Sequence, residues 1–174
     1  MSEPACPERA KRVEGKGESN GLPGATPLQL PPDLIINVDG GSRGNPGPAA
    51  TGVIIATPDG IEILTRGEFI GEATNNVAEY KALIDALKRA PDYLRKVAAP
   101  ELEVRSDSEL LVKQMRGEYR IKNAGLKPLA IEAQKLIRAF RKVTFVHIYR
   151  EANERADKLC NKAMNTRGVV EEID

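Results

Sequence analysis

Four acidic residues, Asp39, Glu79, Asp107 and Asp157, stand where the sequence ends a strand or begins a helix. Asp39 closes the apolar run 33–39 and is followed by two glycines, while Asp107 follows the run 101–106. Glu79 falls in the first turns of one helical stretch and Asp157 in the first turn of another. Carboxylates gathered at one place repel each other and cannot all stay ionised without a counter-charge. Two divalent cations supply that charge. Hard oxygen ligands suit Mg²⁺, with Mn²⁺ as a substitute, whereas Zn²⁺ would draw on the histidine and cysteine that this chain, with one His and two Cys, hardly offers. Such a pair of ions, about 3.5–4 Å apart, clamps the attacking water and the leaving oxygen of an in-line phosphoryl displacement. No covalent protein intermediate is then required. A lone acid is most often a surface charge or a helix cap, so the surrounding sequence has to decide.

The elements that must position these acids follow from periodicity. Residues 33–39 read as a central strand, 50–57 as a second, and 61–70 as a third after the turn signal Pro58-Asp59-Gly60, giving an antiparallel meander. Thr74 caps a helix running to about Ala90, with Val77, Tyr80, Ile84 and Leu87 on one stripe. Residues 101–106 form a fourth strand, 108–116 and 127–140 two short helices, 143–149 a fifth strand, and Asn153 caps a last helix to about Met164. The expected class is α/β, a five-stranded mixed sheet flanked by helices. If the first and fourth strands are neighbours, the acids converge in the crevice beyond their carboxyl ends.

With 174 residues the chain holds one domain with a proper core. Residues 1–32 carry six of the twelve prolines and four glycines with almost no aliphatic periodicity, and are expected to be a disordered extension. The domain is expected over 33–166, and 167–174, with Glu171, Glu172 and Asp174, as a frayed acidic tail. Aromatics make up 4% and Trp is absent, which argues against a surface of stacked bases. The net charge is only +1, yet residues 113–142 hold nine Lys or Arg against Glu118 and Glu132. That stretch is either a solvated helix face or a phosphate-facing patch. Cys6 and Cys160 have no metal-ligand spacing and suggest no disulfide framework, so a reducing, cytoplasmic setting is expected. No apolar run approaches a membrane span, and 1–32 has neither the apolar core of a signal peptide nor the acid-poor character of a transit peptide. A monomer is expected.

The sequence around each acid resembles a known family. The run from Asp39 to Pro48 (DGGSRGNPGP) resembles the opening motif of type 1 ribonuclease H, and Thr74–Leu83 (TNNVAEYKAL) the second, with Glu79 in the catalytic place. Arg105–Glu109 (RSDSE) resembles the third and Arg150–Leu159 (REANERADKL) the fourth. Each motif alone is a modest signal; four in family order across the whole expected domain are a strong one. The resemblance implies a ribonuclease H-like fold with strands four and five parallel to the first. It implies an endonuclease that hydrolyses the RNA strand of an RNA–DNA hybrid, leaving 5′-phosphate and 3′-hydroxyl ends, with Asp39, Glu79, Asp107 and Asp157 as catalytic metal ligands. Gly40, Gly41, Asn45, Thr74, Asn75, Asn76, Ser108 and Asn123 are implied to meet the substrate. An amide is both donor and acceptor, which matches the 2′-hydroxyl of the RNA strand in the minor groove. Thr74 and Asn123 resemble positions that hold a DNA-strand phosphate. Double-stranded RNA shares the A-like minor groove and stays open as a second substrate.

The chain also departs from the family. The long basic, aromatic-rich protrusion that some members carry between the third and fourth motifs has no room in 115–127, which leaves Lys113, Arg116, Arg120 and Lys122 as the expected phosphate contacts. His147, the only histidine, precedes Asp157 by ten residues, as a proton-moving loop histidine does in many relatives, but it falls within a strand where simple packing is the alternative. Glu151 is a second candidate for that outer role. The rival to an enzyme is a non-catalytic ribonuclease H-like module that binds nucleic acid. Such modules typically lack one or more of the acids, and here all four are present.

Overall fold

In the computed structural model, which describes residues 31–172, Leu34, Ile36 and Val38, alternate residues of β1 (Leu34–Ser42), are all buried on one face of the strand. β1 lies inside a six-stranded sheet in which the strands, numbered in chain order, stand side by side as 5-4-1-2-3-6. It pairs antiparallel with β2 (Gly47–Ala56), from Ile35 opposite Ala56 to Ser42 opposite Ala49. On its other side it runs parallel to β4 (Glu101–Ser106), from Leu34 beside Leu102 to Asn37 beside Arg105. β3 (Glu62–Ala73) continues the meander, and β5 (Lys142–His147) lies parallel to β4. The expected mixed sheet, with antiparallel strands one to three and parallel strands four and five, is the sheet observed.

Helix α1 (Asn75–Tyr93) begins at Thr74, whose Oγ1 accepts from the Val77 amide at 3.3 Å, as its position in the sequence predicts. It runs three residues beyond the expected end, through Pro91, which gives up one bond of the helical ladder. Its Tyr80, Leu83 and Leu87 pack on Ile36, Val38, Val53, Leu102 and Val104 to make the main core, which α2 (Glu109–Met115) and α3 (Lys127–Ile137) complete. Burying each such side chain stabilises the domain by about 1.5–3 kcal/mol. α4 (Glu154–Thr166) rests on the opposite face, directly on sheet backbone. A Cβ at Gly52 would stand 2.1 Å from the Ala156 carbonyl oxygen, and one at Gly67 2.4 Å from that of Leu159.

One expectation is corrected. The acidic tail is not frayed where it is described: Val169–Glu172 forms β6, a sixth strand antiparallel to the edge of β3. Arg167, in the left-handed region at φ 50°, turns the chain back after α4. Glu171 then pairs with Arg66, and Glu172 lies 3.0 Å from Lys162. Four residues with two apolar ones carry almost no local strand signal; partners far away in sequence create this one. The disordered extension expected for 1–32 lies outside the described residues, apart from Pro31 and Pro32. Among the described residues no helix is long and apolar enough to cross a membrane.

Candidate functional site

Asp39 sits on β1 opposite Gly52, and Asp107 directly follows β4. Because β1 and β4 are parallel neighbours, both acids emerge at the same end of the sheet. Glu79 reaches them from α1 through Gly40. A Cβ there would stand 2.2 Å from both the Ala78 carbonyl carbon and the Glu79 nitrogen, so only glycine lets the helix start come this near to β1. The Gly40 backbone N–H in turn favours the charged form of the Glu79 carboxylate. Asp39, Glu79 and Asp107 each bring a carboxylate oxygen into a group whose members all lie within 4.8 Å of one another.

The group is electrostatically costly as it stands. Asp39 and Glu79 are each 6% exposed. Burial, then the charges of Asp107 and Asp157, push the Asp39 carboxyl up to about 6. Burial, then Asp39 and Asp107, hold Glu79 well above the usual carboxylate range. The Glu79 Oε2 is buried without a hydrogen-bond partner among the described residues. An acceptor left so is expensive unless something positive meets it. Such a cluster can bind a metal ion.

The fourth acid stands slightly apart from this trio. Asp157, in the first turn of α4, has its Oδ1 3.2 Å from an Arg150 guanidinium nitrogen, and its Oδ2 accepts from the Asn161 amide at 3.0 Å. His147, at the end of β5, is exposed rather than packed, and its Nε2 lies 3.3 Å from the Asp107 carbonyl oxygen.

The asparagines of the first two motifs meet at the surface beside the acids. The Asn75 Oδ1 accepts from the Ser42 amide at 3.1 Å, and the Asn45 Oδ1 accepts from the Asn75 amide at 3.2 Å. Their exposed NH₂ groups keep their donors, and Asn76 is exposed next to them. Thr74 and Ser108 use their hydroxyl oxygens as caps, of α1 and α2, and the Asn123 Oδ1 accepts from the Gly125 amide at 2.8 Å. The two glycines of the opening motif are approached by helices: Gly40 by α1, and Gly41 by α4, where a Cβ would lie 3.3 Å from the Cys160 Sγ. Two of the four basic residues expected on a phosphate are tied into the fold. Lys113 pairs with Glu109 at 2.5 Å and sits over the Tyr119 ring, and the Arg116 guanidinium donates twice to the Phe145 carbonyl, at 2.9 and 2.6 Å. Arg120 and Lys122 are exposed in the loop ahead of α3.

A model of the reverse transcriptase-like family matches residues 37–163. A ribonuclease HI of Halobacterium salinarum is 42% identical over 127 residues, 73% of this chain and 62% of that protein. A bifunctional protein of Mycobacterium tuberculosis is 43% identical over 133 residues, so the chain spans only 35% of that relative. Among solved structures, LC11-RNase H1 in complex with an RNA/DNA hybrid matches with a TM-score of 0.74 at 44% identity, over 77% of this chain and 98% of that one. The chain belongs to the type 1 ribonuclease H family.

Within this ribonuclease H domain two residues have roles that the sequence does not reveal. Asn153 holds the N-cap position of α4 that its place in the sequence predicts, but its side chain makes no capping bond. It is instead 2% exposed, and its Nδ2 donates to the Val38 carbonyl and to the Asp107 Oδ1, both at 2.9 Å. Arg150 opens the fourth motif, and its guanidinium favourably faces Asp157, Asp107 and Asp39. Both lie inside the motif already quoted, but only the folded arrangement tells which of its members face the acids.

Proposed function

We propose that this chain is an endoribonuclease that hydrolyses the RNA strand of RNA–DNA hybrids, leaving 5′-phosphate and 3′-hydroxyl ends. The observation that carries the reading is the trio Asp39, Glu79 and Asp107, with a buried Glu79 oxygen that lacks a partner. An all-oxygen, anionic donor set of this kind fits Mg²⁺, with Mn²⁺ as a substitute. Asp39, Glu79 and Asp107 would hold two such ions; Asp157 joins them on the resemblance of its motif. When bound, the ions supply charge neutralisation and Lewis acidity for displacement at phosphorus.

The chain's other residues orient the duplex. The NH₂ groups of Asn45, Asn75 and Asn76 face the minor groove, and the bonds from the Ser42 and Asn75 amides hold two of these side chains in place. Gly40 and Gly41 let the opening motif lie close to the helices that carry the acids. Thr74, Ser108 and Asn123 line the approach of the strands, and Arg120 and Lys122 meet phosphates. His147, exposed beside the Asp107 carbonyl, is placed to move a proton at the edge of the centre. A monomer acting in the cytoplasm completes the proposal, and double-stranded RNA is its second substrate to test.

The test incubates the full chain with end-labelled hybrid, RNA duplex and DNA duplex, in Mg²⁺, in Mn²⁺ and in chelator. Cleavage of the hybrid's RNA strand, stopped by chelator and restored by Mg²⁺, is expected. Hybrid binding without any metal-dependent cleavage overturns the enzyme in favour of a binding module.

A further inference from the structure

The face of the sheet behind the acids carries a pair of amide side chains, Asn153 buried and Asn37 half-buried, to which neither the family motifs nor the core packing assigns a task. Asn153 belongs to the 3-10 turn Arg150–Asn153 that leads into α4. Its Nδ2 directs one hydrogen to the Val38 carbonyl and the other to the Asp107 Oδ1, each at 2.9 Å. Its Oδ1 accepts from the Asn37 Nδ2 at 3.1 Å. Chemistry fixes this orientation: a flipped amide would set an oxygen against a carbonyl and a carboxylate, neither of which can donate to it. All the polar capacity of the Asn153 NH₂ group is therefore used, and none of it serves the helix it starts.

Asn37 sits on β1 two residues before Asp39 and faces a cavity of about 230 Å³, whose walls include Ile35, Ile54, Ala156 and Asn153. The chain of bonds thus runs from that cavity, through a side chain 2% exposed, to one oxygen of Asp107. Asp107 itself lies between β4 and the cap of α2, outside the strand ladder, so the bond from Asn153 bears directly on how its carboxylate is turned. A carboxylate with one oxygen anchored presents the other in a single direction.

We infer that Asn37 and Asn153 act together as positioning residues, Asn37 orienting Asn153 and Asn153 setting the Asp107 carboxylate for divalent cations. The inference rests on the function proposed above. Partners of this kind that orient metal ligands are worth about 10–100-fold in metal affinity or activity. Asn153 touches neither substrate nor reacting atoms, so its loss acts on metal binding and turnover and spares the grip on the duplex.

The test measures Mg²⁺ and Mn²⁺ affinity by calorimetry, kcat and KM on hybrid, and unfolding, for the full chain and for Asn153→Ala, Asn37→Ala and the double variant. Asn153→Ala is expected to lower cation affinity and kcat by about 10–100-fold with KM for hybrid within about twofold. Asn37→Ala should move both in the same direction by less, and should add nothing once Asn153 is gone. A folded Asn153→Ala protein with unchanged cation affinity and kcat overturns the inference, as do losses that simply add in the double variant. Should Asn153→Ala fail to fold, Asn37→Ala decides alone, and wild-type cation affinity there refutes the pair's role. A wild-type chain without metal-dependent cleavage overturns the proposed function and this inference with it. A cleaving wild type whose variants behave as wild type overturns only the inference.

Discussion

Replacing Asp39 by Asn should destroy any metal-dependent activity and yet, in chelator, make the protein more stable above about pH 6. Asp39 is buried beside Glu79 and Asp107, and its carboxyl is raised from 3.8 to about 6. A raised carboxyl means that the folded chain holds the proton more tightly than the unfolded chain does. Its contribution to stability is therefore fully present below the unfolded value, and is lost as pH rises through about 6. At about 1.4 kcal/mol per pH unit the loss amounts to about 3 kcal/mol, of which about 2 kcal/mol develops between pH 4 and pH 7.5. That is a large part of a domain's usual margin of about 5–15 kcal/mol. Asn keeps the shape and carries no charge at any pH. Urea unfolding of both proteins in chelator, at pH 4 and at pH 7.5, measures the difference. The comparison at pH 4, where Asp39 is neutral in the folded wild type, isolates the change of amide for acid. Between the two pH values the stability gap should move by about 2 kcal/mol in favour of Asp39→Asn, with the denaturant slope unchanged. A gap that stays the same at both pH values refutes the claim that the carboxylates are held together against their own repulsion.

Glu79→Gln and Asp107→Asn should each leave a folded protein with cleavage of hybrid in Mg²⁺ abolished, and near-wild-type turnover of either would remove that acid from the site. Gly40→Ala forces the start of α1 away from β1, because the added carbon would lie 2.2 Å from helix backbone. A stability loss of about 1–3 kcal/mol is expected, together with reduced activity, and calorimetric unfolding that matches wild type would contradict the close approach. Neutralising Arg120 and Lys122 together should flatten the salt dependence of hybrid binding, by about 0.7–0.9 in log–log slope for each phosphate that no longer meets a cation. An unchanged slope would leave the exposed asparagines as the main hold on the duplex.

Much of this could be read from the sequence, for identifiable reasons. The run at 33–39, the stripe Tyr80, Ile84 and Leu87, and the Thr74 cap are local signals, and α1 and β1 form where they predict. Three of the four acids converge because β1 and β4 pair in parallel, a condition that periodicity left open and the family resemblance implied, and because α1 starts against Gly40. What escaped depends on distant partners. β6 exists because β3 offers it an edge, and Arg66 and Lys162 pair with its acids. Lys113 and Arg116 belong to a stretch whose charge was legible, but not their bonds to Glu109 and to the Phe145 carbonyl. Asn153 carried the right composition for a cap; the bonds to Val38 and Asp107 become visible only once β1, β4 and α4 are packed together.

The arrangement also explains why this centre tolerates acids that oppose one another. Asp39 is held within the β1–β2 ladder, Asp107 directly follows β4, and Glu79 sits on a helix pressed against Gly40, so the backbone sets the three side by side. The backbone thus sustains a burial and a repulsion of carboxylates that flexible side chains would otherwise avoid by moving apart. Arg150, exposed and on a short turn, makes its ion pair with Asp157, while its charge also favours Asp107 and Asp39. The least compensated negative charge then lies at Asp39 and Glu79, the two buried acids of the site. A small, hard, divalent cation can reach it, because it brings two charges in little volume and accepts oxygen ligands alone. In wild type at neutral pH, therefore, added Mg²⁺ should raise stability by mass action, and by less in Asp39→Asn, where part of the repulsion has already been removed.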